Sequence, residues 1–100
     1  MGTRPRHKPK RLGEKLLQIR SALELSQSEL LRRLKGEEEL TYHRISEYES
    51  GAREPPLWIL IRYARLAGVH LEDIVDDGLE LPKELRHTVR AQRVKRKRNS

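Results

Sequence analysis

The apolar positions of the chain fall into five short groups separated by polar, glycine or proline breaks. Leu16, Ile19 and Leu23 stand at i, i+3 and i+7, with Leu12 and Leu25 closing the ends, which predicts a helix over residues 13–24. Ser26 followed by Glu29 is a capping box, and Leu30, Leu31 and Leu34 supply the stripe of a second helix over residues 27–35. Lys35-Gly36 ends it, with Gly36 expected to take the left-handed backbone of a helix stop. A third helix is predicted over residues 42–50. The Thr41 hydroxyl caps it, Leu40 and Ile45 stand where a hydrophobic staple closes, and Ile45 and Tyr48 face inward. Ser50-Gly51 stops that helix and Pro55-Pro56 forbids its continuation. A fourth helix, dense in apolar residues, starts after Pro55, with Pro56 in its first turn, and runs to the stop at Gly68. Val69, Leu71, Ile74 and Val75 form a short fifth. Beyond Pro82, Leu85 and Val89 are four apart and allow one more weak helix. The expected class is all-α.

The third helix leaves Tyr42, His43, Arg44, Ser46 and Glu47 on its outer side, a surface rich in hydrogen-bonding groups. The stretches LLQIRSALELSQSEL, RISEYESGAREP and YARLAGVHLEDI together resemble the lambda-repressor-like, Cro-type helix-turn-helix family of the xenobiotic-response-element kind. That resemblance covers residues 12–78 and implies a five-helix bundle. It implies sequence-specific binding of double-stranded DNA by a repressor-like transcriptional regulator, with the third helix in the major groove. By position it makes Tyr42, His43 and Glu47 base-facing, with Arg44 and Ser46 nearby, and puts Gln27, Ser50 and Arg53 on the DNA backbone. Arg20 and Glu49 become an internal ion pair tying the first helix to the third. Leu57, Leu60, Tyr63, Ala64 and Ala67 are turned into the core. Trp58, Ile59, Ile61 and Leu66 are then left over as a second apolar surface, for a homodimer contact or for cover by residues 79–90. Two features depart from the family. The turn before the third helix is longer and carries Glu37, Glu38 and Glu39, and Leu31 stands where a small residue usually lets the helices touch. A side chain of that size is expected to push the two helices apart or shift their crossing.

Charge sharpens the picture once it is divided along the chain. The net charge is +7, yet residues 12–82 hold nine basic and fourteen acidic groups. The excess lies at the ends: five Arg or Lys and no acid in residues 1–11, eight against the single Glu84 in residues 83–100. The expected organisation is therefore a basic arm (1–11), a folded unit (12–82) and a basic, part-helical tail (83–100), with salt-sensitive attraction to nucleic acid coming mainly from the ends. The final VKRKRNS fits a solvated tail, a nucleic-acid arm or a nuclear-import-like signal. The chain has no cysteine, no apolar run of membrane-spanning length and no apolar segment of a signal peptide, so a soluble, cytoplasmic, nucleoid-associated protein is expected.

No catalytic constellation is visible in the sequence. His7, His43, His70 and His87 lack zinc-ligand spacing, and there is no glycine-rich phosphate loop or nucleophile elbow. Residues 73–84 echo a calcium loop through Asp73, Asp77, Gly78 and Glu84, but Val75 takes a ligand position and Pro82 interrupts it. No enzyme activity, cofactor, metal or small-molecule ligand is expected. Two other functions fit the same residues: a protein-interaction module such as an antitoxin or accessory factor, and non-specific coating of nucleic acid by the basic ends.

Overall fold

A computed structural model describes residues 9–85, which form five α-helices and, among the described residues, no strand. They are α1 (Leu12–Ala22), α2 (Gln27–Arg33), α3 (Tyr42–Ser50), α4 (Leu57–Ala67) and α5 (Leu71–Val75). Residues 83–85 carry no helix; Val89 and the rest of the predicted sixth helix lie outside the described residues, as do most of both basic ends. None of the described helices is long and apolar enough to cross a membrane.

Helix α1 is the hub, packing on α3, α4 and α5, while α2 packs on α3 and α4 on α5. Leu16 and Ile19 meet Leu30, Ile45, Ile59, Tyr63 and Ile74 in one fully buried core. Burying each such side chain contributes about 1.5–3 kcal/mol. Gly13 allows the closest approach. A Cβ there would lie 2.6 Å from the Glu49 carbonyl oxygen and 2.9 Å from that of Tyr48, so α1 rests directly on the end of α3.

Helix α4 is rolled differently from the sequence expectation. Ile59 and Leu66, assigned to an outer dimer surface, are 0% and 7% exposed, whereas Leu57, expected in the core, is 62% exposed. Only Trp58 and Ile61 of the four proposed surface residues remain half-exposed. The buried arc is centred on Tyr63 and Ala67 and reaches Ile59 and Leu66. Ile59 fills the space beside Gly36, where a Cβ would stand 3.7 Å from its Cδ1. Consecutive apolar residues in LWILI offer several faces to periodicity, and packing against the end of α2 selects one.

Two local expectations are also corrected. Lys35 (φ 57°), not Gly36, takes the left-handed position after α2. Gly36 instead gives room, since a Cβ there would be 2.9 Å from Leu31 Cδ1. The bulk of Leu31 is thus absorbed by a missing side chain in the turn. Thr41 is the extended N-cap of α3 but makes no side-chain cap bond. Gly51 and Gly68 do occupy left-handed C-caps, at φ 86° and 72°.

Long-range polar clasps close the bundle. The fully buried Lys15 ammonium donates to the carbonyls of Asp73 (2.8 Å), Asp76 (2.8 Å) and Leu79 (2.7 Å), using all three protons on the end of α5 and the turn beyond. The Asp77 carboxylate accepts from the backbone N–H groups of Lys10 (2.8 Å) and Arg11 (3.0 Å), tying the residues that lead into α1 to the turn after α5. The Arg11 guanidinium forks onto Glu80 at 2.8 and 2.9 Å and also reaches Glu14. Lys10 and Arg11, at the end of the stretch expected to be a basic arm, are therefore bonded into the folded unit. Finally, Arg62 donates to the carbonyls of Leu34 (3.0 Å) and Lys35 (2.9 Å) and lies over the Trp58 ring, 4.7 Å from its centroid. It supplies the acceptors at the end of α2 with a partner from α4.

Candidate functional site

Helix α3 begins after an extended Thr41 and ends where Gly51 turns the chain back. Its inner side is Ile45 and Tyr48, 0% and 2% exposed. Beside them Glu49 joins three helices. Its carboxylate accepts from Arg20 Nε (2.6 Å) and Nη2 (3.1 Å) on α1 and from Gln27 Nε2 (3.3 Å) on α2. Arg20 Nη1 also donates to the Leu25 carbonyl at 3.1 Å, fixing the link between α1 and α2. The Glu49 side chain is 8% exposed and that of Arg20 21%, so this forked pair is largely withdrawn from water. Glu49 holds the already high pKa of Arg20 higher still. Tyr63 lies in the same region with its hydroxyl buried and, among the described residues, unpartnered; burial pushes its pKa up strongly.

The outer side is open. Tyr42 is 48% exposed, and its ring lies against that of His43 with centroids 4.3 Å apart and a tilt of 32°. His43 and Ser46 are exposed beside it. These three present a phenol, an imidazole and a hydroxyl within the first half of the helix, the mixture of donors and acceptors that base edges require.

The rest of that face is already bonded internally. One oxygen of Glu47, Oε1, accepts from Arg44 Nη1 (2.9 Å) and from Arg53 Nε (3.1 Å). Arg44, then Arg53, hold the Glu47 carboxyl below the usual carboxylate range. The backbone reinforces the arrangement. The Glu47 carbonyl accepts from Ser50 Oγ (3.2 Å) and from the Arg53 N–H (3.3 Å), while Ser50 Oγ accepts from the Ala52 N–H (3.3 Å). Pro9, Leu12, Tyr48, Gly51, Arg53 and Glu54 line a shallow depression at this end of α3.

The residues singled out in the sequence thus separate into three sets. Arg20, Gln27 and Glu49 form an internal joint, and the Gln27 amide nitrogen is turned toward it. Arg44, Glu47, Ser50 and Arg53 form a charged knot that runs from the first turn of α3 to beyond its end, and Tyr42, His43 and Ser46 stand open beside it. Glu37, Glu38 and Glu39 are exposed in the turn leading into α3, where the Gly36 carbonyl accepts from the N–H groups of Glu39 and Leu40. Sequence reasoning missed the Arg53 half of the knot. The three-residue spacing of Arg44 and Glu47 is legible on a helix, but Arg53 returns only because Gly51 reverses the chain. Compared with protein-family models, curated proteins and solved structures, the chain matches none of them.

Proposed function

We propose that this protein is a lambda-repressor-like helix-turn-helix regulator that binds duplex DNA through the outer side of α3. In this reading α2 and α3 are the paired helices, α3 lies in the major groove, and Tyr42, His43 and Ser46 meet base edges. Ser50, Arg44 and Arg53 meet the sugar-phosphate backbone, and the basic ends add salt-sensitive attraction. The observation that carries it is the two-sidedness of α3. Its inner side is fixed to α1 and α2 through Ile45, Tyr48 and the Arg20–Glu49–Gln27 joint, while the described residues leave Tyr42, His43 and Ser46 uncovered. Recognition requires a stiff support and an open polar surface together. A two-fold dimer, suited to a palindromic site, would use the half-exposed Trp58 and Ile61 with the protruding Leu57, without Ile59 or Leu66.

One observation favours a second reading, a protein-interaction module on the same fold. The exposed Glu37, Glu38 and Glu39 directly precede α3 and would repel phosphate unless they splay into solvent. Selection from a random duplex pool decides between the two. Regulation predicts an enriched motif, and His43→Ala or Ser46→Ala should relax the preference at one or two base pairs by about 1–3 kcal/mol each. An interaction module predicts no enriched motif and a stable complex with a co-purifying protein. Binding of every duplex alike, lost when the ends are removed, would mean coating by the basic segments alone.

A further inference from the structure

We infer that Arg44 and Arg53 form a clamp for a backbone phosphate of nucleic acid, and that in the unbound protein the Glu47 carboxylate occupies that clamp. The inference rests on the DNA-binding reading and gives Glu47 a different role from that of a base reader. Two guanidiniums from different segments, one on α3 and one beyond Gly51, converge on the same oxygen, Glu47 Oε1. One carboxylate between two guanidiniums leaves one positive charge over, and a phosphodiester oxygen offers the same acceptor chemistry with the same charge.

The side chains can exchange partners without unfolding. Arg44, Glu47 and Arg53 are 36%, 41% and 54% exposed. The turn that presents Arg53 is held separately, by the Ser50 hydroxyl and the Arg53 N–H on the Glu47 carbonyl, so the carboxylate can swing out while Arg53 stays. Exposed ion pairs are individually weak, whereas a phosphate anchored on a bound duplex is presented at high local concentration. Glu47 then acts as a competitor that lowers affinity for every sequence equally, because phosphate contacts carry no base information.

The test is a double-mutant cycle on the full chain, read by binding of a labelled duplex at several salt concentrations. Glu47→Gln should tighten binding about threefold to tenfold, and equally for matched and mismatched duplexes. The salt dependence should steepen by about one phosphate contact. The gain should vanish when Arg44→Gln and Arg53→Gln are also present. A gain that persists in full without the two arginines is a general charge effect and overturns the clamp. A loss of binding confined to one base pair makes Glu47 a reader and overturns it as well. An independent readout is the Arg53 Nε–H resonance under titration with inorganic phosphate. In Glu47→Gln it should move, and in the wild type it should move far less. No movement with either phosphate or duplex overturns the clamp even if the protein binds DNA elsewhere. Movement with inorganic phosphate alone, with no duplex bound by any variant, assigns the clamp to free phosphate and overturns the nucleic-acid source together with the proposed function.

Discussion

At the scale of single residues, charge placed away from water does more here than charge on the surface. Lys15 is buried with all three ammonium protons on backbone carbonyls, so the desolvation of its charge is offset by three short bonds. Replacing it with Met keeps most of the packing but removes the buried donor the three carbonyls share, leaving that of Asp76 with the Leu79 N–H. Lys15→Met is expected to cost about 3 kcal/mol, read from the urea midpoint, while substitution of the exposed Lys35 with Met should change stability by less than about 0.5 kcal/mol. Surface carboxylates act through pH instead. Bonding lowers Glu80 (through Arg11), Glu47 (through Arg44, then Arg53) and Glu29 (through the Ser26 N–H and hydroxyl) below their ordinary values. The unfolded chain therefore takes up these protons at higher pH than the folded one. Their stabilisation is present at neutral pH and is lost as pH falls through the carboxylate range, below about pH 5. Unfolding midpoints measured down that range should decline, and Glu80→Gln should remove part of the slope while lowering the neutral-pH value. Lys15 also marks a limit of sequence reading. It shares the helical spacing of Leu12 and Ile19, but nothing in that spacing names its acceptors, which lie 58 to 64 residues away along the chain.

At the scale of elements, helix positions were legible because caps and stops are local chemistry. The Ser26–Glu29 capping box is present in both directions, and Gly51 and Gly68 stop their helices in left-handed conformations. What local chemistry could not give was the roll of α4 or the partner of Arg62. LWILI is apolar all round at its start, so Leu57 and Ile59 are equivalent by composition, and only the hollow beside Gly36 and Leu31 distinguishes them. The same hollow explains how a leucine fits where the resembled family keeps a small residue. Arg62 completes this contact by bonding the last carbonyls around α2 and covering Trp58. Arg62→Ala is expected to cost about 1–2 kcal/mol and to alter the fluorescence of the single tryptophan. Unchanged stability and unchanged emission would mean that the cap on α2 contributes nothing.

Over the whole molecule, residues 10–11 and 77–80 meet and close the described fold. Asp77, from the far end of the fold, holds the backbone of the two residues that lead into α1, and Arg11 with Glu80 fastens the same junction. Asp77→Ala should lower stability by about 1 kcal/mol, as loss of hydrogen bonds to a carboxylate does, and should speed amide exchange at Lys10 and Arg11. This closure also divides the charges. The Arg11 guanidinium is taken up by Glu14 and Glu80, so in the proposed function the attraction to polyanions would fall to the other basic groups of the two ends and to the knot on α3. The split between an acidic middle and basic ends was plain in the sequence; that the fold takes in residues 10 and 11 was not, because its cause is a carboxylate 66 residues distant. In the proposed function the open side of α3 is the surface that touches DNA. That reading is tested most directly by following backbone amide signals of the full chain as a selected duplex is added. Changes centred on Tyr42, His43, Ser46 and Glu47 and continuing to Ser50 and Arg53 are predicted. Changes confined to the basic ends, or centred on Glu37, Glu38 and Glu39 or on Leu57 while α3 stays unmoved, would contradict it.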